Sequence, residues 1–125
     1  MKSFRELIAW RKAMNLVILI YQQTSHFPGP ERLALANQLN RSVVSIPSNL
    51  AEGWARHSRK DFLSFIYIAR GSLAEVETQT EISHRLGYIT PEAYGNLQQQ
   101  TEELSKILTG LIKSLRAESA TITNG

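Results

Sequence analysis

Thr90-Pro91-Glu92-Ala93-Tyr94 opens the stretch TPEAYGNLQQQTEELSKILTGLIKSL, residues 90–115, whose spacing decides the fold. Tyr94, Leu97, Thr101, Leu104, Leu108, Leu111 and Leu115 recur at steps of three and four, so they share one side of a helix. Thr90 offers an acceptor to the orphan N–H groups of the first turn, and Pro91 has the φ that a first helical residue needs. The back of this helix is mostly polar. A helix with one apolar stripe requires other helices to cover it.

Three further segments supply them. The first is expected from about Phe4 to Gln23, with Ser3 and Glu6 at capping-box spacing and a stripe of Leu7, Trp10, Met14, Val17 and Tyr21. Phe27-Pro28-Gly29-Pro30 then breaks the chain. The second is expected from about Glu31 to Gly53, with Leu35, Leu39, Val43, Ile46 and Leu50 as its stripe. Pro47 lies inside that pattern, where it removes a backbone donor and should kink the helix, and Gly53 reads as a C-terminal signal. The third runs from about Ser58 to Leu86. Ser58 and Asp61 mark its start, its stripe is Phe62, Ile66, Ala69, Leu73, Val76, Thr80 and Ser83, and Gly87 ends it. No strand pattern, internal repeat or second domain competes. Four amphipathic helices on short loops pack as an all-α, antiparallel up-down-up-down four-helix bundle over residues 1–116. The remainder, 117–125, is small and polar and reads as a flexible C-terminal tail.

Composition agrees. The chain has 125 residues, 42% of them hydrophobic and 20% charged, which suffices for one domain with its own core. It has no cysteine, which excludes a disulfide scaffold, thiolate metal sites and a cysteine nucleophile. Met1–Glu6 lacks the pattern of a signal peptide, and the longest apolar run, Leu16–Tyr21, is far short of the roughly 20 residues a membrane span needs. A cytoplasmic protein with no membrane partner is expected.

The net charge of +3 is unevenly spread. Residues 1–70 hold ten Lys/Arg and four Asp/Glu, whereas residues 71–125 hold four and seven. Such asymmetry fits a polyanionic partner, and it fits ordinary solvated helix faces as well. Within the basic half, Arg5 and Lys12 share the outer face of the first helix. Arg56, His57, Arg59 and Lys60 gather at the junction of the second and third, where free helix N-terminal amides also favour anions. With Arg41, these cations form the candidate nucleic-acid-binding set. A second leftover is apolar. Ile8, Leu16 and Leu19 on the first helix, and Ile68, Ile82 and Leu86 on the third, point away from the stripes named above. They are candidates for contact between copies in a homo-oligomer, or else the edges of a wide core stripe.

The segment QLNRSVVSIPSNLAEG, residues 38–53, is distinctive, with its proline inside a helix followed by Ser48-Asn49-Leu50-Ala51-Glu52-Gly53. It resembles the four-helix-bundle family of 23S rRNA intervening-sequence proteins. Leu7-Ile8-Ala9-Trp10 with Met14 and Tyr21, Phe27-Pro28, Ala69-Arg70-Gly71-Ser72-Leu73-Ala74-Glu75 and Leu86-Gly87-Tyr88 agree with it. The resemblance extends over about residues 4–115, with Ser42 where alanine is usual and Leu50 where isoleucine is common. It implies a left-handed bundle and a ring of copies, a pentamer foremost. It also implies kinship in fold with the accessory protein of diversity-generating retroelements, which partners a reverse transcriptase and binds nucleic acid. Bacterial rRNA or DNA, a second copy of the chain, and a polymerase-like polypeptide are therefore the expected partners.

No catalytic set, resident metal or cofactor is expected. Glu81-Ile82-Ser83-His84 has the Glu-x-x-His spacing of di-iron bundles but lacks the second copy that such sites need. None of His26, His57 and His84 has an arginine at the upstream spacing of small helical ribonucleases. Glu52 and Glu75, beside Asn49 and Ser72, read either as a metal or acid–base pair or as structural polar groups linking the second and third helices. The structural reading is preferred: they would cap, hydrogen-bond or salt-bridge across the second and third helices, with Arg41 or Arg70 as candidate partners.

Overall fold

The computed structural model describes the backbone of residues 2–124 and the side chains of residues 2–118. Four long helices dominate: α1 (Ile8–Thr24), α2 (Leu35–Ala55), α3 (Arg59–Arg85) and α4 (Pro91–Asn124). Short helical turns at Phe4–Glu6 and Gly29–Arg32 precede α1 and α2, and no strand occurs among the described residues. Each helix packs on the next, and α1 closes the set against α4, so α1 and α3 stand at diagonal corners. Contacts between the ends show consecutive helices running in opposite senses. Thr24, at the end of α1, donates to Asn40 near the start of α2 at 2.9 Å. Ser42 donates to Glu75 and Ser45 meets Ser72 in the α2–α3 seam. His84 stacks on Tyr94, and Arg59 reaches Glu118.

The signals that start α3 and α4 and that end α3 act where the sequence places them. Ser58 Oγ accepts from Asp61 N, and Thr90 Oγ1 from Ala93 N, each at 3.2 Å. Gly87, at φ +80°, ends α3 in a Schellman turn, with Gly87 N–H on the His84 carbonyl and Tyr88 N–H on that of Ser83. Ser3 does cap a turn, but only a 3₁₀ one. Leu7 is extended and buried, so the chain breaks there and α1 begins at Ile8. Pro47 sits buried inside an unbroken α2, where it offers no N–H to the Val43 carbonyl. Of the tail expected from Ala117, the side chains of 119–125 and the whole of Gly125 lie outside the described residues; Glu118 is paired with Arg59.

The stripes of α2 and α3 are the core: Leu39, Val43, Ile46 and Leu50 interleave with Phe62, Ile66, Ala69, Leu73 and Val76, all buried. In α4 the buried seam is Leu97, Thr101, Leu104, Leu108 and Ile112, with Tyr94, Leu111 and Leu115 half-buried beside it. Helix α1 departs from expectation. Its core seam is Ala9, Ala13, Leu16 and Ile20, while Met14 and Tyr21 are exposed. Two seams one residue apart compete in this helix, and the buried one is that of Ala9, Ala13, Leu16 and Ile20. Leu16, at 1% exposure, is therefore a core residue and not a free surface, and Leu19 packs half-buried against the core. Ile8, Ile68, Ile82 and Leu86 are exposed as expected, and Ile18 joins them at 56%.

Gly53 is not the end of α2, which continues to Ala55. Its reason is packing: a Cβ there would lie 2.6 Å from Cβ of Phe65 and 3.2 Å from the Phe62 ring. Replacing Gly53 by alanine gains at most about 1 kcal/mol of helix propensity. Overpacking against a neighbour fixed so near its backbone costs about 1–3 kcal/mol and should win. Gly53→Ala should therefore lower the midpoint of thermal unfolding by several degrees, as measured by circular dichroism.

Candidate nucleic-acid interface

The antiparallel path sorts charge along the bundle axis. The half built from residues 2–15, 46–70 and 105–118 carries eleven Lys/Arg against four Asp/Glu. The half built from residues 16–45 and 71–104 carries three against seven. One end of the rod is cationic and the other acidic. The sequence halves understate this, because the basic residues of α4, Lys106, Lys113 and Arg116, fold back onto the end that holds Arg5 and Arg56.

At the cationic end the α2–α3 junction projects Arg56, His57, Arg59 and Lys60 as exposed side chains. His57 adopts φ +55°, the left-handed conformation that lets α2 stop and α3 start within three residues. Arg56 lies 5.2 Å from the Phe65 ring centre and pairs with Glu52 at 3.3 Å, and Arg59 pairs with Glu118 at 3.4 Å. Both ion pairs are half exposed to water, so each is worth at most about 1 kcal/mol and gives way to a stronger anion. Arg5, stacked 4.6 Å from the Phe4 ring centre, stands at the same end. Lys12 is on the flank of α1, held 3.0 Å from Glu103 of α4. Arg41 is exposed on α2 in the opposite half, apart from the rest of the expected set. Lys2, Arg11, Arg70, Lys106, Lys113 and Arg116 were not in the expected set, and the last three reach the cationic half only because α4 folds back along the bundle.

Between the N-terminal turn and the ends of α2, α3 and α4 lies a cleft of about 430 Å³. Leu7, Trp54, Phe62, Leu111 and Leu115 form its walls, and His57, Arg59 and Glu118 stand among its lining residues. Trp54 meets Phe62 edge to face, with ring centres 6.0 Å apart.

The other polar residues serve the frame. Asn49 Nδ2 donates to the carbonyl and hydroxyl of Ser45, and Ser45 in turn meets Ser72 at 2.8 Å. Glu75 accepts from Ser42 at 3.2 Å, so Ser72 and Glu75 bond across the α2–α3 seam, whereas Asn49 bonds within α2 and reaches α3 only through Ser45. Glu52 does not bond across the seam: it lies one helical turn from Arg56, and that proximity captures it within α2. Neither Arg41 nor Arg70 is the counter-ion; Arg70 lies over the Tyr67 ring. Glu81 pairs with Arg85 at 2.6 Å, while His84 stacks on Tyr94 with rings 8° from parallel. Among the described residues no group of three His, Asp or Glu converges as a metal site.

Glu77, at the acidic end, has its carboxyl pKa raised by burial and then by the charge of Glu102. The folded state therefore holds this proton more tightly than the unfolded chain does. Stability from this group is lost as pH rises out of the usual carboxylate range. Glu77→Gln should raise the unfolding midpoint at pH 7, and the gain should vanish below about pH 4, near the unperturbed carboxylate pKa.

The model of the 23S rRNA-intervening sequence protein family matches residues 5–110. The chain belongs to the 23S rRNA-intervening sequence protein family. A solved relative from Bacteroides thetaiotaomicron, described as a protein of unknown function from the S23 ribosomal protein family, superimposes with a TM-score of 0.78. It is 27% identical, and the match covers 85% of this chain and 96% of that one. No curated protein matches the sequence. The matched residues of this intervening-sequence protein include the whole α2–α3 seam and the basic junction. No helix among the described residues is long and apolar enough to cross a membrane.

Proposed function

We propose that this protein is a non-enzymatic, oligomeric accessory protein that binds structured RNA or DNA through the cationic end of its bundle. The observation that carries this reading is the axial separation of charge, eleven basic against four acidic residues at one end. Lys and Arg clustered in this way neutralise phosphates and release counterions, which gives affinity without reading sequence. The helix N-terminus of α3 points its amides into the same cluster. Family membership supports a role linked to rRNA and says nothing of catalysis. A scaffold for another polypeptide, such as an element-encoded reverse transcriptase, is the competing reading, and salt-insensitive association would favour it.

Binding to an rRNA fragment should weaken steeply as salt rises. Changing Arg56, Arg59 and Lys60 together to alanine should flatten the log–log salt slope by about 2–3 in a fluorescence anisotropy titration. Absence of binding at low salt would sink the reading.

Self-association rests on the apolar surface left after the core closes. Helix α1 exposes Ile8, Met14, Ile18 and Tyr21, and α3 exposes Ile68, Ile82 and Leu86. Gln79, on the α3 face, also carries a buried Oε1 without a hydrogen-bond partner among the described residues. The two patches lie on diagonal helices and differ from each other. Contact between unlike patches is head-to-tail, and head-to-tail contacts close into a ring where the rotation between copies closes, and extend as a filament where it does not. The pentamer implied by the family resemblance is one such ring. Ile18→Glu and Ile82→Glu should each dissociate the ring in light scattering coupled to size exclusion. Each variant keeps the patch the other has lost, so mixing them should give a one-to-one dimer and nothing larger. Intact rings in both variants would refute this interface.

A further inference from the structure

The apolar cleft at the cationic end is out of place on a surface that only holds phosphates. A duplex backbone presents charge and sugar, and it has no use for a recess walled by Trp54, Phe62, Leu111 and Leu115. Yet the recess opens within a polar rim formed by His57, Ser58 and the Arg59–Glu118 pair, with Arg56 and Lys60 next to these residues in the same junction. Its volume of about 430 Å³ is that of a small-molecule site. Trp54 is half-buried, with its ring in the cleft wall. An occupant must therefore be flat or apolar on one side and anionic next to it. A nucleotide whose base is free to leave its stack meets both demands.

We propose that this cleft receives an unpaired nucleobase from a single strand or loop, with Trp54 as the stacking surface and the flanking phosphates on Arg56, His57 and Lys60. The inference rests on the nucleic-acid reading above and narrows it from structured nucleic acid in general to its unpaired segments. Aromatic stacking is open to every base, so it confers preference for strand state and little for sequence. The Arg59–Glu118 pair is the gate in this arrangement: a phosphate drawn to Arg59 displaces Glu118, whose half-exposed carboxylate returns to water. Paired bases remain outside, because a base held in a duplex presents only its edge.

The chain has two tryptophans, Trp10 and Trp54, so Trp10→Phe leaves Trp54 as the sole reporter. This variant is titrated at low salt with a twelve-nucleotide oligouridylate, an oligothymidylate of equal length, and a blunt duplex. Quenching of Trp54 by either single strand, with none by the duplex, is the expected result, and the two single strands tell RNA from DNA as the source. Trp54→Leu, which keeps the wall apolar, should lose roughly tenfold or more in single-strand affinity while duplex affinity holds. Trp54→Phe should lose less, and it serves as the test should the leucine variant fail to fold. Equal affinity for strand and duplex with unchanged Trp54 emission overturns the base site and leaves the phosphate-binding reading standing. No binding of any of the three sinks both. Quenching by a medium-chain fatty acid but by no oligonucleotide assigns the cleft to an acyl carboxylate and overturns the proposal.

Discussion

The close approach of α2 and α3 at Gly53 is the constraint on which the rest depends. Residue 53 lies so near Phe65 that any Cβ would collide with it. The same seam is lined further along by Ser42, Ser45 and Ser72, whose hydroxyls bond across it or back to their own helix instead of spacing the helices apart. Small residues permit the approach, and the hydrogen bonds keep it from being a polar liability. With the two helices drawn together, the chain must turn within three residues, and His57 takes a left-handed conformation to do so. That turn is what places four basic side chains in succession at the end of a rod.

Three of the four helices were legible because each carries one apolar seam. The stripe of α3 fell on the core residue by residue, and that of α2 did so except at Leu35, half-buried beside a buried Ala36; that of α4 is half-buried at Tyr94 and drifts by one position in its last turns, where Ile112 is buried and Leu111 half so. Helix α1 was misread because it carries two: Leu7, Trp10, Met14, Val17, Tyr21, and Ala9, Ala13, Leu16, Ile20. Pattern reading weights large side chains, whereas the buried seam is the one that holds the two alanines. Gly53 was misread for a related reason. A glycine near a helix end looks like a terminus, and nothing local tells that a phenylalanine from the next helix will lie against it.

The candidate interface was legible only in part. Arg56, Arg59 and Lys60 adjoin in sequence and so were visible. The contribution of Lys113 and Arg116, and the separation of Arg41, follow from antiparallel folding and become visible only when helix ends are matched. The cleft had no linear signal at all, because Leu7, Trp54, Phe62 and Leu111 come from four separate segments of the chain.

Charge separation and the proposed ring closure, taken together, would have a consequence that neither has alone. In a cyclic ring every protomer is related to the next by rotation about one axis. Components of the protomer charge vector perpendicular to that axis cancel around the ring, and components along it add. A rod with a basic end and an acidic end, repeated in this way, yields a ring with one cationic face and one anionic face, to the extent that the rods stand along the axis. A face of repeated weak phosphate sites binds a long polyanion by effective concentration, so each site need hold only a little. This is why modest exposed cations, with Lys12, Arg56 and Arg59 already in ion pairs worth about 1 kcal/mol or less, would suffice for the role proposed. In the proposed ring the exposed apolar patches would also set the orientation on which this addition depends.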